Sequence, residues 1–104
     1  MRHESDIERI RRIVVDRLAP LGKPVYAIVN YDNFTIEPEL LDAYSAMVHG
    51  LMGKYYAGVT RYTTSGFLRM KLGDALEKRG VAPHIYESAA EAEQSLRQIK
   101  GSNG

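Results

Sequence analysis

The chain has 104 residues, enough for one domain with a single core and too few for two. Its 44% hydrophobic and 26% charged content is ordinary for a soluble globular protein, and a formal net charge of +1 supplies no field favouring nucleic acid or a membrane surface. The lack of cysteine excludes disulfides, thiolate catalysis and thiolate metal sites.

No apolar run approaches the ~20 residues of a membrane span. Residues Met1 to Asp6 contain no apolar core that could act as a secretion signal, so a cytoplasmic location is expected.

Ser5-Asp6-Ile7-Glu8 reads as a capping box opening a first helix. Ile7, Ile10, Val14 and Leu18 then share one face, and Pro20 and Gly22 end the helix. Its arginines, Arg9, Arg11, Arg12 and Arg17, alternate with Asp6, Glu8 and Asp16 and describe a solvated face. Val25 to Val29 is a compact apolar run, which predicts a strand buried on both sides. Asn30 to Asn33 supplies turn chemistry after it.

Pro38 suits the first turn of a second helix. Leu40, Leu41, Tyr44, Met47, Val48, Leu51, Met52 and Tyr55 form a stripe wide enough to meet the sheet and a partner as well. Val59 to Thr63 reads as the next strand. A third helix follows, with Phe67, Leu68, Leu72, Ala75 and Leu76 inward, Asp74 and Lys78 at pairing distance, and Gly80 as its stop.

Val81 to Tyr86 reads as a short strand, placed near an edge by Pro83. Ser88-Ala89-Ala90-Glu91 opens a last helix with Ala92, Leu96 and Ile99 inward, and residues 100–104 are expected to fray. The order is an N-terminal helix followed by βαβαβα. Such an order predicts a single α/β domain over residues 1–104, with an ordered core of about 5–99, a small mostly parallel sheet and covering helices.

The junction Thr63-Thr64-Ser65-Gly66 lies between a strand and a helix, where backbone N–H groups and the helix dipole favour an anion. Helix capping by Thr64 or Ser65 is one account of it. An anion site or a phosphorylated Ser65, helped by Arg61 and Arg69, is the other. Asn30, Tyr31 and Asp32 end the preceding strand and flank the same rim, though a turn held by Asp and Asn side chains explains them equally.

His3, His49 and His84 have no metal-ligand spacing, the carboxylates are scattered, and no nucleophile, base and orienter assemble. The sequence therefore points to no catalytic residue, no metal and no cofactor.

Two resemblances add to this. From Val25 onward the order of elements resembles STAS domains, the fold of anti-sigma factor antagonists. In that family a strand leads into Asp-Ser-Ser-Gly and the second serine is phosphorylated. Val59 to Gly66 occupies the same place, so the resemblance implies Ser65 as phospho-acceptor, with Thr63 where the family has aspartate.

In wording, three stretches are similar to the C-terminal extension of bacterial class I acyl-CoA:acetate/3-ketoacid CoA transferases. They are Lys23 to Phe34, Val59 to Gly73 and Gly80 to Ser88, within a resemblance that spans roughly Asp6 to Leu96, and Tyr62-Thr63-Thr64-Ser65 is the most specific part. The resemblance implies an accessory domain whose partners are the transferase lobes or a second copy of itself. The catalytic glutamate of that family belongs to the lobes and has no counterpart here. The extensions carry a strand before the first helix that this chain lacks, which suggests an excised fragment or a stand-alone relative and leaves one sheet edge bare.

Overall fold

The computed structural model describes residues 1–103, with side chains to residue 101. Its elements are α1 (Glu4–Leu18), β1 (Val25–Asn30), α2 (Leu41–Tyr55), β2 (Tyr56–Tyr62), α3 (Gly66–Lys78) and α4 (Ala89–Asn103). Short 3-10 turns at Ala19–Leu21 and Pro38–Leu40 lead out of α1 and into α2. The α/β order expected from the sequence is present. β1 and β2 pair in parallel from Val25↔Tyr56 to Asn30↔Tyr62, with an irregularity after Val25 that leaves Ala57 without a partner residue.

Helices cover both faces of this sheet. α4 lies on one: the Thr60 hydroxyl donates to the Ala92 carbonyl at 2.8 Å, and a Cβ on Gly58 would sit 3.0 Å from Ile99. α2 lies on the other, flanked by α1 and α3. Leu40, Tyr44, Val48, Leu72 and Leu76 form the centre of the core. The wide stripe of α2 is thus shared among sheet, α1 and α3 within the chain.

Several boundaries and orientations depart from the sequence reading, each for a visible reason. α1 begins at Glu4 rather than after Ser5, because the Asp6 carboxylate collects the N–H groups of Arg2 and His3, both at 3.1 Å. β1 is not buried on both sides. Among the described residues β2 is its only strand neighbour, and Ile28 is 40% exposed. β2 starts at Tyr56, directly after α2.

Phe67 is not inward but 69% exposed, being in the first turn of α3 ahead of the buried Leu72 and Leu76. The strand expected over Val81 to Tyr86 contracts to one parallel bridge, Tyr62↔Tyr86. Pro83 has no N–H to give a ladder, and its carbonyl is pressed against α3, where a Cβ on Gly73 would approach it to 3.1 Å. α4 continues through Asn103, past the fraying expected from Lys100 on, while Gly104 lies outside the described residues.

Gly80 does stop α3. It adopts φ +75°, and the bonds Gly80 N–H to Glu77 O (3.0 Å) and Val81 N–H to Leu76 O (3.0 Å) complete a Schellman closure. Asp42 on α2 pairs with Arg79 just past α3 and fastens the two helices.

Candidate functional site

The C-terminal ends of β1 and β2 open onto one rim. Tyr31 N–H extends the ladder by donating to Tyr62 O at 2.9 Å. Asn30 Oδ1 then accepts the Asp32 N–H at 2.8 Å, a side-chain turn that swings Asp32 toward the neighbouring junction. There Asp32 Oδ1 accepts three bonds: from Thr64 N–H at 2.8 Å, Thr64 Oγ1 at 3.1 Å and Thr63 Oγ1 at 3.2 Å.

The Thr63 hydroxyl also accepts Ser65 N–H at 3.2 Å, and Ser65 Oγ caps α3 by accepting Leu68 N–H at 3.1 Å. Arg69, one turn into α3, donates from Nη1 to the Thr63 carbonyl at 2.6 Å and lies 3.6 Å from Glu87. Tyr86 closes the third side, giving its N–H to Arg61 O (2.7 Å) and taking that of Thr63 (3.0 Å).

The electrostatics follow from these bonds. Asp32 is held below the ordinary carboxylate value, first by the Thr64 N–H and then by the two threonine hydroxyls. It is therefore an ionised acceptor, unsuited to taking a proton. Its carboxylate occupies the Thr64 N–H that a bound anion would use. Ser65 Oγ is engaged as an acceptor, which makes capping its structural role, and the residue is exposed. Gly66 begins α3, where a Cβ would lie 3.4 Å from the Arg69 guanidinium.

Of the residues singled out from the sequence, Asn30, Asp32, Thr63, Thr64, Ser65 and Gly66 come together at the rim. Tyr31 contributes only backbone. Its ring is buried edge-on to Phe34 and its hydroxyl lies 2.8 Å from that of Tyr44. Arg61 also takes part only through its carbonyl. Its side chain enters the space between sheet and α2, with Nη2 3.7 Å from Met52 Sδ, so it shares no side-chain bond with the junction.

Strand alternation already separates Thr60 and Arg61 onto opposite faces. The pairing of Tyr31 with Tyr44 had no local signal, because the two come from different elements.

No cluster of three or more His, Asp or Glu suited to a metal occurs among the described residues. The rim hydroxyls that meet a carboxylate, those of Thr63 and Thr64, share Asp32 Oδ1 with the Thr64 N–H. No helix is long and apolar enough to cross a membrane among the described residues. Compared with protein-family models, curated proteins and solved structures, the chain matches none.

Proposed function

We propose that this chain is a non-catalytic accessory domain, acting in assembly or regulation, of the kind appended to class I acyl-CoA:acetate/3-ketoacid CoA transferases. The observation that carries the reading is convergence. The three stretches similar to those extensions, Lys23 to Phe34, Val59 to Gly73 and Gly80 to Ser88, are distant in sequence. They meet at one rim through Tyr31–Tyr62, Asp32–Thr64, Thr63–Tyr86 and Arg69–Glu87 contacts. The resemblance runs from about Asp6 to Leu96 and takes in every residue that builds this joint, which supports a shared scaffold. The closed hydrogen bonding of that joint suits a fastener rather than a reaction centre.

Sedimentation of the chain with a purified class I transferase whose own extension has been removed tests the partner. A stable complex is expected, together with no acyl-CoA:acetate exchange by the chain alone. Failure to associate, or robust exchange by the isolated chain, would overturn the reading.

A phospho-switch centred on Ser65 is the second reading, favoured by the exposed hydroxyl one residue from the Thr64 that Asp32 grips. A phosphate there would repel Asp32 and loosen the loop-to-helix tie. It requires phosphate incorporation by a cognate kinase that disappears in Ser65→Ala. Incorporation unaffected by that change removes it.

A further inference from the structure

Arg61 presents a problem that the rim does not solve. The residue is only 3% exposed, its Nε has no partner among the described residues, and its side chain makes a weak bond to the Met52 thioether. None of the ion pairs among the described residues involves it. A guanidinium keeps its charge at any ordinary pH, and a buried cation without a counter-charge is strongly unfavourable.

The hydroxyls near it do not supply that charge. Burial pushes the Tyr44 and Tyr56 phenols up, against the opposing pull of Arg61, so both stay neutral. Tyr44 is moreover bonded to Tyr31.

Beside this charge is a cavity of about 150 Å3 between the sheet and α1/α2. Its lining includes Val14, Met47, Leu51, Met52 and Val59, and Arg61 is its only charged wall. Ile10, Val14 and Met47 are half-buried, so the α1 side is the thin wall. A cavity of roughly this size holds a benzene-sized body. Two methionines favour an aromatic one through sulfur–ring contacts. One guanidinium fork matches one carboxylate; a phosphate dianion would bring a second charge that nothing here balances.

We propose that this cavity binds a compact apolar monocarboxylate, its carboxylate on the Arg61 guanidinium and its body between Val14, Met47, Leu51 and Val59. The site stands on the cavity and the buried cation, independently of the accessory-domain reading.

Calorimetric titration of the whole chain with benzoate, benzamide and inorganic phosphate at constant ionic strength is the test. Saturable one-to-one binding of benzoate is expected, with benzamide and phosphate weaker by about tenfold or more, since each loses the charge-assisted pair or the apolar fit. Arg61→Met should stay folded, with a Tm no lower than the parent, and should lose benzoate. Val14→Phe fills the cavity from the α1 side, keeps Arg61 and should also lose benzoate, so the test survives a misfolded Arg61→Met.

Benzoate binding that is absent, matched by benzamide or phosphate, or retained in either folded variant would overturn the assignment. None of these results bears on association with a transferase, which is read in a separate experiment.

Discussion

A single oxygen, Oδ1 of Asp32, gathers two hydroxyls and a backbone N–H and ties the loop after β1 to the start of α3. Its folded-state pKa is depressed, so the unfolded chain binds this proton more readily. The stabilisation is present above the ordinary value of 3.8 and is lost as pH falls through the depressed one. Asp32→Ala should therefore lower the Tm at pH 7, and the difference from the parent should shrink in thermal melts taken progressively below that range.

Ser65→Ala removes a helix cap and should cost about 1 kcal/mol in urea denaturation. A cost near zero would mean that the Leu68 N–H finds water equally well. Ser45 is the opposite case. Its hydroxyl is wholly buried without a partner among the described residues, so Ser45→Ala should leave stability unchanged or raise it.

At the scale of elements, the closure of α3 depends on a left-handed residue. Gly80→Ala should destabilise the chain by about 1 kcal/mol through that φ alone, measured by the denaturation midpoint.

The stop at Gly80 was legible in the sequence, as were the Ser88 cap and the inward Leu72 and Leu76, because each follows from local chemistry or helical period. Ser88 Oγ does accept the Glu91 N–H, at 3.3 Å. What was not legible depends on distant neighbours. The exposure of Ile28 reflects how few strands stand beside it, and the shrinking of the 81–86 strand reflects α3 pressing on Pro83. Of the rim, the strand-to-helix joint was readable from Thr63-Thr64-Ser65, whereas the acceptor that organises it comes from a loop over thirty positions away.

For the whole molecule, helices on both faces of two strands leave the sheet with little width. Among the described residues β1 has β2 on one side and no strand on the other, and an unpaired edge of this kind is a template for a second chain. A homodimer formed through β1 is the expected solution, and sedimentation equilibrium should show it shifting to monomer in Ile28→Lys, which places a charge beside that edge. A parent chain that stays monomeric at high concentration contradicts the expectation.

The direct passage from α2 into β2, with no linking residue between Tyr55 and Tyr56, has a consequence for how this sequence can change over time. The only spare position, Ala57, is already absorbed by the irregular pairing. Adding or deleting one residue here would turn the strand over, sending the guanidinium toward α4 and the Thr60 hydroxyl into an oily chamber. Divergent descendants should thus keep this interval free of gaps while tolerating length variation around Asn33 to Glu37.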